Sequence, residues 1–120
     1  MEENLNKKIV SVLRPFGLPV FENVYQGAAS SWFTYNVALD AEGDAGDDVP
    51  LAYVTTVQIH YCCPLADSYA DMKRRIITAL LTAGFTAPEV TDMSDETEKI
   101  RHLVFECEIE NNYNLEVENG

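Results

Sequence analysis

Three segments of the chain alternate between apolar and polar residues, and this period of two is the strongest constraint on its fold. They are residues 31–39 (SWFTYNVAL), 51–63 (LAYVTTVQIHYCC) and 100–112 (IRHLVFECEIENN). Such alternation is typical of strands with one buried face. The positions predicted to face inward are Phe33, Tyr35, Val37, Leu39, Tyr53, Thr55, Val57, Ile59, Tyr61, Cys63, Leu103, Phe105, Cys107 and Ile109.

Two other segments have helical spacing. The first covers residues 2–14, and its apolar positions are Leu5, Ile9, Val12 and Leu13. The second is expected to begin with Asp67 or Ser68 as its N-cap and to end before Gly84, a residue suited to the left-handed conformation. The apolar positions of this second helix are Tyr69, Met72, Ile76, Leu80 and Ala83.

Residues 20–25 and 86–96 are weaker strand candidates, which completes the order α-β-β-β-α-β-β. We expect the first two alternating segments to form an antiparallel hairpin. Two helices and a mostly antiparallel sheet predict an α+β fold, with both helices packed on one face of the sheet. The domain is expected to cover residues 1–112, followed by a flexible acidic tail at 113–120.

The hairpin tip, DAEGDAGDDVP (residues 40–50), is rich in acids and was compared with an EF-hand calcium loop. The sharp-turn position holds Ala45 instead of glycine, and the position of the bidentate glutamate holds Leu51. This excludes a dedicated calcium loop and favours a mobile acidic tip. Loose binding of a divalent cation stays open as an alternative, with the candidate ligands Asp40, Glu42, Asp44, Asp47 and Asp48.

The charge of the chain is strongly negative and unevenly distributed. Twenty acids against eight bases give a formal net charge of −12. This argues against sequence-independent nucleic-acid binding, which needs a basic surface. Six of the bases fall in two groups, at residues 7–14 and 73–75. Separated charge suits a molecule that contacts a partner, or copies of itself, through opposite faces.

Composition also predicts a soluble protein of a reducing compartment. No apolar run approaches the roughly 18 residues of a membrane span, and the N-terminus lacks the basic-then-apolar order of a secretory signal. The cysteines Cys62, Cys63 and Cys107 are odd in number, which is a poor framework for disulfides.

No arrangement of the cysteines and histidines predicts a metal or catalytic site. Cys62 and His60 share one face of their strand, whereas His102 and Cys107 lie on different faces of another, so convergence on zinc is not expected. Cys62 beside His60 is the only candidate for nucleophilic catalysis, and no nucleophile-elbow turn surrounds it. We therefore expect no enzymatic activity and no cofactor.

A stripe of carboxylates on the last strand is the clearest candidate for contact. Glu106, Glu108 and Glu110 share the face opposite the apolar one, so this face must meet water or bases. An ordinary solvated face explains the stripe equally well. The residues predicted to contact another subunit or partner are Lys73, Arg74, Arg75, Glu106, Glu108, Glu110, Asp44, Asp47 and Asp48.

The order of elements, together with FTYNVAL (33–39), TTVQIHYCC (55–63), LLTAGF (80–85) and HLVFECEI (102–109), resembles the tail terminator, or tail completion, proteins of long-tailed bacteriophages. The resemblance covers roughly residues 5–110. It implies a small α+β protein of the virion tail that forms a hexameric ring after assembly in the bacterial cytoplasm. The ring would cap the tail tube and offer a surface to the head-completion protein, without catalysis or a cofactor.

Two other classes remain open from the residues alone. An acidic DNA mimic would explain the charge, although the bases of the helices interrupt any continuous acidic surface. A non-enzymatic α+β interaction module would explain the same features without a phage tail.

Overall fold

The computed structural model describes residues 5–42 and 53–111. The predicted element order and α+β class are confirmed. Asp44, Asp47, Asp48 and the predicted tail at 113–120 lie outside the described residues. In chain order the elements are helix α1 (Leu5–Leu13), a 3-10 turn (Arg14–Phe16), β1 (Val20–Glu22), β2 (Trp32–Glu42), β3 (Tyr53–Pro64), helix α2 (Ala70–Thr82), β4 (Glu89–Asp92) and β5 (Ile100–Asn111).

The five strands form one sheet in the order β1-β2-β3-β5-β4. β1 runs parallel to β2, and the other neighbours are antiparallel, including the predicted β2–β3 hairpin. The register places Ile59 of β3 directly opposite Tyr35 of β2 and Phe105 of β5. Apolar side chains on adjacent strands therefore meet on the same face, which is what the alternation predicts.

Both helices bury their apolar stripes against this face, which we call the inner face. Ile9 and Leu13 of α1 and Ile76 and Leu80 of α2 are fully buried. Each such side chain contributes about 1.5–3 kcal/mol through removal from water. The inner face supplies the rest of the core, namely Phe33, Tyr35, Val57, Ile59, Tyr61, Cys63, Leu103, Phe105, Cys107 and Ile109, with Phe85 packed beside them.

The two ends of α2 differ in how well the sequence predicts them. Neither Asp67 nor Ser68 is the N-cap, because the Asp67 N–H donates to Pro64 O at 3.0 Å in a turn and the helix begins later, after Tyr69. At the other end, Gly84 has φ 98° as predicted. The next residue, Phe85, donates its N–H to Leu80 O at 3.0 Å and turns into the core.

The alternation predicted for β2 is interrupted near its middle. The register shifts between Val37 and Leu39, so that Val37 stands opposite Val57 and Leu39 opposite Thr56. An inserted residue of this kind moves all later positions to the other face. The side chain of Leu39 lies outside the described residues, so the prediction for it is not decided. Val37 is 43% exposed although it was expected to be buried.

None of the helices in the described parts of the chain has the length and apolar character needed to cross a membrane.

Candidate functional site

The face of the sheet turned away from α1 and α2, which we call the outer face, carries the candidate site. Thr34, Cys62 and Val104 lie on it and are less than 10% exposed, yet none belongs to the core cluster beneath the helices. Over the described residues, this face carries no helix.

A pair of histidines occupies the centre of the outer face. His60 Nδ1 lies 2.8 Å from His102 Nε2, and His60 Nε2 lies 3.0 Å from Asn36 Oδ1. Asn36 Nδ2 donates to Gln58 Oε1 at 3.2 Å. These four side chains come from β2, β3 and β5, so the network ties the three central strands together.

Burial keeps both histidines closer to neutral than free imidazoles. It lowers the pKa of His60, and the neighbouring His102 lowers that pKa further. Burial also lowers the pKa of His102, while the carboxylate of Asp92 acts in the opposite direction. The network is therefore held mainly by uncharged hydrogen bonds at neutral pH.

The sequence did not predict that His60 and His102 lie side by side. The β3–β5 register places Cys62 directly opposite His102, and His60 one diagonal step away. The alternating pattern predicts which face each residue occupies but not which residues of another strand stand beside it. Over residues 5–42 and 53–111, no group of three or more His, Cys, Asp or Glu side chains is arranged to hold a metal ion.

The pair Cys62 and His60 does not have the geometry of an activated nucleophile. Both ring nitrogens of His60 lie within hydrogen-bond distance of His102 or Asn36. Burial and the adjacent Cys63 raise the pKa of the Cys62 thiol to about 11. The thiol is therefore protonated at neutral pH, whereas nucleophilic catalysis needs the thiolate.

An acidic groove opens along the outer face where β4 meets β5. Glu89 stands directly opposite Glu106, and like charges in this position repel each other. Glu110, also exposed, lies further along the same face of β5. The groove therefore favours a cationic partner; its lining residues are Thr56, Thr86, Ala87, Glu89, Glu106, Cys107 and Glu108.

A basic groove lies on the helical side of the molecule, between the 3-10 turn and α2. The guanidinium of Arg75 sits 4.9 Å from the centroid of the Phe16 ring, which holds this long side chain in place. Arg74 lines the same groove, whereas Lys73 is half-buried outside its lining. The lining residues are Pro15, Phe16, Arg74, Arg75, Thr78 and Ala79.

An aromatic cluster that the sequence did not predict borders the outer face at β1. The rings of Tyr25 and Trp32 stack with centroids 4.7 Å apart, and Phe21 meets Tyr25 edge-on at 5.3 Å. Phe21 is 40% exposed and the neighbouring Val24 is 63% exposed. Aromatic side chains that remain accessible in this way are typical of contact surfaces.

The predicted contact residues that the structure describes thus fall on two opposite sides of the molecule. The structure brings Glu106 and Glu108 together with Glu89, which was not among the predicted contact residues, and it brings Arg74 and Arg75 together with Phe16. The backbones of Asp40 and Glu42 lie in β2, so these two candidate cation ligands belong to a strand and not to a loop.

Comparison with protein-family models finds no match to this chain, and comparison with curated proteins finds none either. The function must therefore be inferred from the geometry.

Proposed function

We propose that this protein is a structural assembly protein that binds copies of itself head to tail, as the tail terminator ring of a phage or prophage tail. The observation that carries the proposal is the placement of the acidic and basic grooves on opposite sides of one subunit. A surface that complements a different surface of the same molecule supports heterologous contacts, and these close into rings when the rotation allows.

Electrostatics make this pairing selective. Copies with a net charge of −12 repel each other on average, so association has to use the few exposed bases. Arg74 and Arg75 are exposed and adjacent, and Glu106 and Glu108 lie in a groove of opposite sign. Complementary potentials of this kind set the register and speed up association.

The resemblance to tail terminator proteins supplies the biological setting of the proposal. A hexameric ring would cap the tail tube with one rim and bind the head-completion protein with the other, within the virion tail. An acidic wall suits a conduit for DNA, because attraction to phosphates would slow its passage. The aromatic cluster at Phe21, Tyr25 and Trp32 is a candidate contact for one of these partner proteins.

A charge-exchange experiment tests the head-to-tail contact. Variant R74E/R75E carries two acidic grooves and variant E106K/E108K carries two basic ones, so each alone is expected to sediment as a monomer. Mixed in equal amounts, the two should alternate and restore an oligomer with an even number of subunits, detectable by native mass measurement. Restoration is specific to this pairing, because either variant on its own retains a mismatch at every contact.

The matched control is E96K/E98K. It makes the same change of charge as E106K/E108K, but in the exposed turn at 96–99, away from both grooves. It should leave the sedimentation of the native chain unchanged. If R74E/R75E sediments like the native oligomer, or if the mixture stays monomeric, the proposed contact is wrong.

An acidic DNA mimic is the second candidate, favoured by one observation. The described outer-face positions of β4 and β5 carry Glu89, Glu106, Glu108 and Glu110, and none of these positions holds a lysine or arginine. Recovery of a DNA-binding protein on the immobilised chain, released by salt and lost in E106K/E108K, would favour this candidate.

A further inference from the structure

We propose that the histidine pair His60 and His102 is a proton-sensing site, and that its protonation weakens docking of a second copy on the outer face. The inference rests on the proposed head-to-tail contact, which it extends with a form of regulation. It is carried by the direction of the hydrogen bonds in the network.

Asn36 fixes the direction of these bonds. Its Nδ2 donates to Gln58, which leaves Asn36 Oδ1 as the acceptor facing His60 Nε2. His60 must therefore carry its proton on Nε2 when neutral, and its Nδ1 is left as an acceptor. It follows that His102 Nε2 is the donor across the 2.8 Å contact between the two rings.

One proton fits this chain of bonds and a second does not. His102 can take up a proton on Nδ1 and still donate from Nε2, so the first proton breaks no bond. A second proton has to enter at His60 Nδ1, and two N–H groups would then face each other across 2.8 Å. The rings must separate, and two positive charges then stand side by side.

The groups around the histidine pair come from β2, β3, β4 and β5. From β2 the pair meets the uncharged Asn36, and from β3 the protonated thiol Cys62 and the amide Gln58. Asp92 of β4 favours a charged His102 but is itself bonded to Arg101 of β5 at 3.2 Å. Charges that face the outer side of β4 and β5 are Glu89, Glu106, Glu108 and Glu110.

The acidic groove lies next to the pair, which links protonation to docking. Gln58, the last member of the bond chain, stands directly opposite Glu106. Positive charge on the histidines offsets the carboxylates that attract Arg74 and Arg75 of the next copy. Protonation therefore lowers the attraction between the two grooves.

The first test measures the protons directly, on the full-length R74E/R75E variant, in which self-association is blocked. Long-range ¹H–¹⁵N spectra of the imidazoles should show Nε2–H tautomers for both rings at neutral pH. His102 should take up its proton at a higher pH than His60. Finding His60 as the Nδ1–H tautomer, or both rings titrating like free imidazole at about pH 6.5, would overturn the proton site.

The second test measures the effect on docking. Between about pH 7.5 and about pH 5.5, where histidine titrates and glutamate stays ionised, the dissociation constant of the native oligomer should rise about tenfold or more. In H60Q/H102Q it should change less than about twofold over the same range, a residual that the other ionisable groups can account for. Excess EDTA in all samples removes adventitious metal ions from the comparison.

The single variants H60Q and H102Q replace the double variant if the latter fails to fold. In each of them, most of the pH dependence of the dissociation constant should be lost. An equal pH response in native and variant chains overturns the inference while leaving the head-to-tail contact intact. A native chain that is monomeric at both pH values instead overturns the proposed contact and the docking role of the pair, and the imidazole spectra then decide the proton site alone.

Discussion

The two faces of one sheet are built in different ways. On the inner face, Phe33, Ile59 and Phe105 are fully buried beneath the helices, and any apolar side chain of suitable volume could serve there. On the outer face, His60, His102 and Asn36 form hydrogen bonds that depend on the position and direction of each donor and acceptor. The same strands therefore provide stability on one side and a specific polar arrangement on the other.

The largest expected difference in stability is between substitutions at two neighbouring residues of β5, one on each face of the sheet. Phe105 is fully buried on the inner face, whereas Val104 is 7% exposed on the outer face without a helix above it. We expect F105A to lower the free energy of unfolding by about 3–5 kcal/mol and V104A by about 1 kcal/mol. Urea denaturation measures both; similar losses would mean that the outer face is packed as a second core.

A smaller effect is expected within the polar network. Asn36 bonds both His60 and Gln58, so N36A removes two bonds and leaves the His60 Nε2–H without its acceptor. We expect a loss of about 1–2 kcal/mol for N36A and less for Q58A, which removes only the last bond. If thermal and urea unfolding give both variants native stability, the network contributes nothing to the outer face.

The smallest effect concerns the pH dependence of stability. The pKa values of His60 and His102 are lowered in the folded state, so the unfolded chain binds more protons once the pH falls below about 6.5. The stability contributed by the neutral pair is complete above that pH and is lost as the pH falls through the folded pKa values. Urea midpoints between about pH 7.5 and about pH 5.5 should therefore decline in the native chain.

The control for this decline is H60Q/H102Q, whose midpoint should vary less over the same range. Acids with ordinary pKa values remain ionised in this range, so a decline common to both chains should be small. It would come from ionisable groups other than the two histidines. An identical slope in the two chains would show that the histidines titrate normally in the folded protein.

The inner face could be predicted almost residue by residue, because alternation and helical spacing report directly on burial. The exception is the exposed Val37. It stands beside the register shift in β2, which depends on how β2 pairs with β3 and leaves no mark on the local pattern. The start of α2 was predicted too early for a similar reason, since Asp67 belongs to a turn with Pro64 and the helix begins after Tyr69.

The candidate site could be predicted only in part. The stripe of glutamates and the basic run at 73–75 were visible in the sequence, because each lies within a single element. The histidine network was not, because it joins β2, β3 and β5 and depends on the strand order. Glu89 was missed for the same reason: only the β4–β5 register places it opposite Glu106.

The irregularity in β2 has a consequence for how copies of the chain can join. β1 pairs only with Phe33–Tyr35, so among the described residues β2 has no second neighbour from Asn36 onward. An open edge of this length could recruit a strand from another molecule and continue into a fibril. The shift between Val37 and Leu39 falls within this stretch and disturbs the regular spacing of its free N–H and C=O groups. A regular open edge would be the better template, so the shift makes strand addition at β2 less favourable.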